Sequence, residues 1–262
     1  IDKEERQSFL KCHNAIDFYI KWDGELAFIE LAKKLIEGNL NVSRFKESKM
    51  VLDNVCYVIG DDYVEGQDQR VVDLMSIPSP YLTGLFDKYF DYPLIPLIET
   101  TRGCPYSCTF CNDGHITRNK IFRRDNDYIR DELQYIASRS KNSDQLSISD
   151  LNFGMYKEDI VTSLTIRDII KKYKWPNRID TAIGKSHPER IIEVTGNINS
   201  GNKGIFKLGQ SFQSTDKVIM GNIKRKNLKM DALLSMKDYN LDINNDKSVF
   251  FSELILALPG DN

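Results

Sequence analysis

Cys104, Cys108 and Cys111 form a Cys-x3-Cys-x2-Cys array in the stretch Glu99-Thr-Thr-Arg-Gly-Cys-Pro-Tyr-Ser-Cys-Thr-Phe-Cys-Asn112, directly after the apolar run Leu94-Ile-Pro-Leu-Ile98. Thiolates so close in sequence can converge on one metal centre, and as soft ligands they suit iron–sulfur clusters, zinc or cuprous copper. A cubane cluster normally takes four cysteines, so three leave one iron open to bind a small molecule as well as pass an electron. Two other readings compete. His115 stands close enough behind Cys111 for a closed zinc site of three cysteines and a histidine. Free cysteines are also commonly just buried residues, although Gly103, Pro105 and polar neighbours argue against a buried strand or helix here.

The elements that must position this loop alternate strand and helix. From Leu94 onward the pattern predicts a first strand, the cysteine loop, a helix from Asn126 to about Arg139, and a strand Leu146–Asp150. A helix from Lys157 to Tyr173 stops before Pro176, a strand runs from Ile179 to Ile183, and a helix from Ser186 to about Ile198 carries Pro188 in its first turn. A fourth strand spans 204–209, short helices lie near 215–221 and 228–239, and a fifth strand spans 248–258. Such alternation predicts a parallel sheet of right-handed β-α-β units, curled into a barrel or part of one. Asp150 and Asn152, Lys185, Gln210 and Ser211, and Pro259-Gly260-Asp261 then leave the strands at the rim where barrel enzymes assemble their sites. Ahead of this region, 15–20 reads as a strand and 26–36 as a helix with Leu26, Ile29, Leu31, Ala32 and Leu35 at helical spacing, ended by Gly38 and Asn39. Residues 40–93 are less regular: a strand at 55–59, then Ile77-Pro-Ser-Pro80, which cannot be regular helix or central strand.

The cysteine spacing, Phe110 before the last cysteine and the leading Glu-Thr-Thr-Arg-Gly together resemble the signature of the radical S-adenosylmethionine (radical SAM) enzymes. Glu99 to Pro105 is similar to the branch that carries a cobalamin-binding domain, and the connector Pro78-Ser-Pro80 with Tyr81 and Leu82 resembles that branch too. The resemblance implies an α/β chain in three parts. Residues 1–40 would be the tail of an open α/β cobalamin-binding-like domain, 41–93 a connector, and 94–262 a radical SAM partial barrel with about five of six units present. It implies that Cys104, Cys108 and Cys111 hold a [4Fe–4S] cluster whose open iron is chelated by the amino and carboxylate groups of S-adenosylmethionine. Phe110 would pack near the adenine, and Pro259 and Gly260 would pass it by backbone contact. Gln210 and Ser211 would face the ribose or methionyl part. The family's Gly-Gly-Glu segment, which holds the amino group, is replaced by Ser149-Asp150-Leu151-Asn152, making Asp150 or Asn152 the candidates. Gly24 and Glu25 would line a cobalamin site, although the usual Asp-x-His-x-x-Gly motif is absent.

The implied activity is reductive cleavage of S-adenosylmethionine to a 5′-deoxyadenosyl radical. C–H activation would follow, with cobalamin-dependent methylation or rearrangement of a small organic substrate, and electrons from a donor such as flavodoxin or ferredoxin. A radical SAM enzyme without cobalamin, including an RNA-modifying one, and a non-catalytic iron–sulfur or zinc module stay open.

Composition narrows the partners. Lys and Arg total 36 against 38 Asp and Glu, a net charge of −2, so no global basic field argues for nucleic acid. The basic runs Lys120, Arg123, Arg124 and Lys224-Arg225-Lys226 read as solvated faces, and Arg102 as a surface charge or a screen for an anionic cluster. No apolar stretch approaches the roughly 20 residues of a membrane span. Cys12 and Cys56 stand apart from the cluster as small apolar residues, so five cysteines do not make a disulfide framework, and a reducing cytoplasm fits. A chain that begins at Ile1 reads as a segment of a longer protein.

Overall fold

The computed structural model describes residues 2–115, 118–201, 204–209, 211–229, 231–232, 234–236, 238–239 and 252–261. The chain divides into two compact units, Ile1–Ile77 and Pro78–Asn262, so the stretch expected as a connector is shared between them.

In the first unit, α1 (Lys3–Cys12) starts at a capping box: the Asp2 side chain accepts from Glu5 N and the Glu5 side chain accepts from Asp2 N. Of the two cysteines read as small apolar residues, Cys12 at the end of this helix is exposed and Cys56 is fully buried. Strand β1 (Tyr19–Ile20) keeps only the end of the expected 15–20 run, because Phe18 turns its ring edge-on to Phe45 and Tyr57. Helices α2 (Gly24–Glu37) and α3 (Val42–Glu47) pack beside β2 (Val55–Ile59) and β3 (Asp62–Glu65), in an antiparallel sheet of order β1-β2-β3. The face of α2 that packs is Ala27, Leu31 and Leu35, at i+4 spacing, on Phe45, Val55 and Tyr57. Leu26 and Ile29, expected on that face, are exposed.

In the second unit, β4 (Leu97–Ile98), β7 (Gln145–Phe153) and β8 (Arg178–Ile183) form a parallel sheet of order β4-β7-β8. Helix α4 (Asn126–Ala137) connects β4 to β7, and α5 (Lys157–Tyr173) connects β7 to β8; α6 (Pro188–Asn199) follows with Pro188 as its first residue. Ile129, Leu133 and Ile136 of α4, Ile166, Ile169 and Ile170 of α5, and Val194 and Ile198 of α6 share one core with Leu146, Ile148 and Phe153 of β7. The short strands β5 (Thr101–Arg102) and β6 (Phe122–Arg123), unforeseen in the sequence, pair antiparallel on either side of the cysteine loop.

Two expected strands shrink. The fourth is reduced to bridge positions at Phe206, which pairs parallel with Ile179, and at Gly209, its entry turned by Gly204 at φ +83°. Of the fifth, residues 240–251 lie outside the described residues, and Leu254 makes one parallel bridge to Gln213. Helix α7 is Lys217–Asn222, and the described residues from 231 to 239 are helical. Ser79, between its two prolines, is buried. Its hydroxyl donates to Glu132 and accepts from Tyr81 N and Leu82 N, and the Tyr81 hydroxyl bonds both backbone polar groups of Leu97 on β4. Among the described residues no helix is long and apolar enough to cross a membrane.

Candidate metal centre and ligand cleft

The β5–β6 hairpin brings the two ends of the cysteine loop together, and Gly103 starts the turn at φ +103°. A side chain there would run into the Lys120 carbonyl oxygen, so only glycine serves. Cys104 N donates to Arg118 O (3.0 Å), Cys111 N to Cys108 O (3.1 Å), and Gly114 N to Cys111 O (3.0 Å). Gly114 packs so closely that a Cβ would overlap the Cys108 carbonyl. The loop's middle is fastened to the end of α7, where Thr109 N donates to Ile223 O at 3.1 Å. All three thiols are free; Cys104 and Cys108 are buried and Cys111 is half-buried.

Cys104 and Cys111 open on a cleft of about 330 Å³ that Phe110, Leu151, Thr181, Lys185, Ser211, Gln213, Arg225 and Glu253 also line. Phe110 and Ser211 thus share one cleft with Cys104 and Cys111. The Ser211 hydroxyl donates to Glu253 (2.5 Å), and Lys185 lies 5.6 Å from the ring centre of Tyr106. Gln210 lies outside the described residues. Pro259 and Gly260 are exposed and do not line the cleft; the Pro259 carbonyl accepts from Asn222 Nδ2 (2.9 Å). Gly24 and Glu25 open α2 in the first unit.

One face of β7 reads Leu146, Ile148, Asp150, Asn152, apolar at the start and polar at the end, and all four are buried. The register with β8 breaks between Ile148 and Phe153, as it does at a bulge, and both polar residues fall in the break. Asp150 is spent on the backbone leading to the cysteines: it accepts from Thr100 N (2.8 Å), Thr101 N (3.1 Å) and the Thr100 hydroxyl. Burial pushes its carboxyl up to about 6 against the pull of those hydrogen bonds. Asn152 instead donates from Nδ2 to Cys104 Sγ at 3.3 Å.

The folded Asp150 therefore keeps its proton up to about pH 6, while the unfolded chain releases it near the ordinary 3.8. Its stabilisation is full below the lower value and is lost as pH rises through the upper one, by about 3 kcal/mol. Urea denaturation at about pH 4 and about pH 8 should show wild type losing about that much relative to Asp150→Asn. An equal difference at both values would mean the carboxyl ionises as freely folded as unfolded.

Three basic groups read as solvated are built in, and one of them, Arg124, is buried with its guanidinium 4.6 Å from the centre of the Tyr128 ring. Arg123 donates to Asp159 (2.7 Å), Thr101 Oγ1 (2.6 Å) and Thr162 Oγ1 (2.9 Å), tying the hairpin to α5; Asp159 is fully buried and also accepts from Gly154 N and Tyr156 N. Arg225 is buried and lines the cleft, which no local feature of its basic run announces. Arg102 is not a free screen for a cluster, because it forks onto Glu99 through two hydrogen bonds of 2.9 and 2.8 Å.

Among the described residues no three His, Cys, Asp or Glu side chains already stand together as a metal site. Three thiols on one loop nevertheless have the chemistry for an iron–sulfur cluster, and the surroundings fit a polar ligand beside it. Asn152 Oδ1, Thr181 Oγ1, Arg225 Nη1 and the Tyr156 hydroxyl are all buried and have no hydrogen-bond partner among the described residues. Asn152 bonds Cys104, Thr181 and Arg225 line the cleft, and the Tyr156 hydroxyl is pushed well up by burial and by nearby Cys104. Such a concentration of unmet donors and acceptors near one cleft makes it the candidate binding site.

The mixed α/β fold is similar to that of cobalamin-dependent radical SAM enzymes, and the chain's homologues are cobalamin-dependent radical SAM methyltransferases. It superimposes on OxsB, described as a cobalamin-dependent S-adenosylmethionine radical enzyme with aqua-cobalamin and S-adenosylmethionine bound. The TM-score is 0.63 at 14% identity, over 97% of this chain and 36% of OxsB. TsrM from Kitasatospora setae, a radical S-adenosylmethionine methyltransferase with cobalamin and a [4Fe–4S] cluster bound, gives 0.60 at 12% identity over 98% of this chain and 50% of TsrM. In sequence the chain is 26% identical over 259 residues to the cobalamin-dependent radical SAM methyltransferase TokK of Streptomyces tokunonensis. It is 26% identical over 258 residues to the 2-(S-pantetheinyl)-carbapenam-3-carboxylate methyltransferase of Streptantibioticus cattleyicolor. These matches cover 96% of the chain but 36% of each relative, so the chain spans just over a third of their length. No protein-family model matches it.

Proposed function

We propose that this chain is the cluster-bearing part of a cobalamin-dependent radical SAM enzyme that methylates or rearranges a small organic substrate in the reducing cytoplasm. The observation that carries the reading is the three-cysteine loop opening on a cleft bordered by unpartnered buried polar groups. The fold supports a partial barrel: β4, β7 and β8 are parallel, and the bridges at Phe206 and Leu254 continue the parallel sense. Residues 1–40 then close a cobalamin-binding-like domain in which Gly24 and Glu25 line the ligand's site.

Cys104, Cys108 and Cys111 would hold a [4Fe–4S] cluster, which supplies the electron that cleaves S-adenosylmethionine to methionine and a 5′-deoxyadenosyl radical. Around it this chain's residues bind and orient. Asn152 donates to Cys104 and offers Oδ1 to the cosubstrate's amino group, a task Asp150 cannot share while Thr100 and Thr101 hold its carboxylate. Phe110 shields the adenine side, and Gln210 and Ser211 face the ribose. Electrons come from a donor such as flavodoxin or ferredoxin.

Anaerobic reconstitution followed by electron paramagnetic resonance of the reduced protein tests this. The expected result is a reduced four-iron signal that changes shape when S-adenosylmethionine is added. Refusal of iron together with tight zinc binding that His115→Ala abolishes would overturn it.

A further inference from the structure

The backbone around Asn152 is fixed at the end of β7. The Asn152 carbonyl accepts from Met155 N (3.3 Å) in a turn where Gly154 stands at φ +87°, and the Phe153 carbonyl accepts from Gly184 N (2.9 Å). Gly154 N in turn donates to the buried Asp159 carboxylate (2.8 Å). The Asn152 side chain, 1% exposed, is thereby aimed at Cys104, itself 4% exposed. Its Nδ2 donates to Cys104 Sγ at 3.3 Å, and among the described residues no other group hydrogen-bonds any of the three sulfurs of the loop. A thiol is a weak acceptor, but a coordinating sulfur is a thiolate and accepts strongly. Burial strengthens such a bond by removing the water that would compete for the charge.

We propose that the Asn152 amide sets the reduction potential of the cluster through its hydrogen bond to Cys104, an assignment that rests on the radical SAM reading above. Reduction moves one electron from the donor protein onto the cluster; no bond forms or breaks, and the proton stays on Nδ2. The added negative charge spreads onto the sulfur ligands. A donor to one of them stabilises the reduced form more than the oxidised form and raises the potential. The Tyr156 hydroxyl lies near enough to Cys104 to feel its charge but bonds no described residue, which leaves Asn152 as the donor. Asn152 thus acts through Cys104, and this bond does not use its Oδ1.

The test is a dye-mediated redox titration of the anaerobically reconstituted holoprotein, followed by the resonance signal of the reduced cluster. It is run without S-adenosylmethionine, so that any contact of Oδ1 with the cosubstrate plays no part. At a fixed applied potential, Asn152→Leu should lower the ratio of reduced to oxidised cluster roughly three- to tenfold, and tenfold corresponds to about 59 mV for one electron. Asn152→Val removes the same donor with a side chain suited to a strand; it should shift the ratio the same way, and it serves if Asn152→Leu fails to fold. A potential that is unchanged or raised in a variant retaining about four irons per chain overturns the assignment. Loss of the iron in both variants overturns it as well, by making Asn152 a prop for the loop. A wild-type protein that takes up no cluster overturns both this assignment and the function beneath it.

Discussion

Replacing any one of Cys104, Cys108 and Cys111 with alanine should drop the iron retained after anaerobic reconstitution from about four atoms per chain to well below one, and abolish cleavage of S-adenosylmethionine. A cubane already short of its usual fourth cysteine has no ligand to spare. The control is Cys12→Ala, whose thiol sits exposed at the end of α1 and should leave the iron count unchanged. His115→Ala should also leave iron in place. Loss of metal in that variant, as complete as in the cysteine variants, would restore the closed zinc site and remove the open coordination position on which the chemistry depends.

The second large effect concerns backbone. Gly103→Ala should cost about 3–5 kcal/mol in chemical denaturation, from an unfavourable φ of +103° plus overlap with the Lys120 carbonyl. Gly201 offers the comparison: it too has positive φ, +86°, but open space where the Cβ would go, so Gly201→Ala should cost only about 1–2 kcal/mol. Equal costs at the two positions would show that the strand-to-loop turn yields, and that Lys120 is no obstacle.

Local patterns made the long helices legible. The helix at 157–173 has the bounds expected from its run of apolar residues and the proline beyond it, and α4 follows its apolar face to within two residues. The cysteines announced themselves by spacing. What escaped was structure that lives in tertiary pairing. Strands β5 and β6 are two residues each, too short for any periodicity, and are defined by each other across the loop. Asp150 and Asn152 are two residues apart on one face, and both were candidates for the same ligand. Only the geometry separates them, because Thr100 and Thr101 take up one and Cys104 the other. Arg225, between two lysines, has the composition of a wet surface. Its burial follows from a left-handed lysine at a helix end, a choice that packing imposes and propensity does not foretell.

The cysteine loop is fastened at its start to Arg118, at its middle to Ile223 and at its end by the turn through Gly114. Connecting loops normally accept extra residues at little cost, because their ends are the only fixed points. Here a third fixed point sits between the second and third cysteines, so an inserted residue on either side would pull one thiol out of step with the other two. For protein engineering this makes the stretch from 103 to 114 a cassette to be transplanted whole, together with the end of α7, and not a loop to be lengthened or grafted piecemeal.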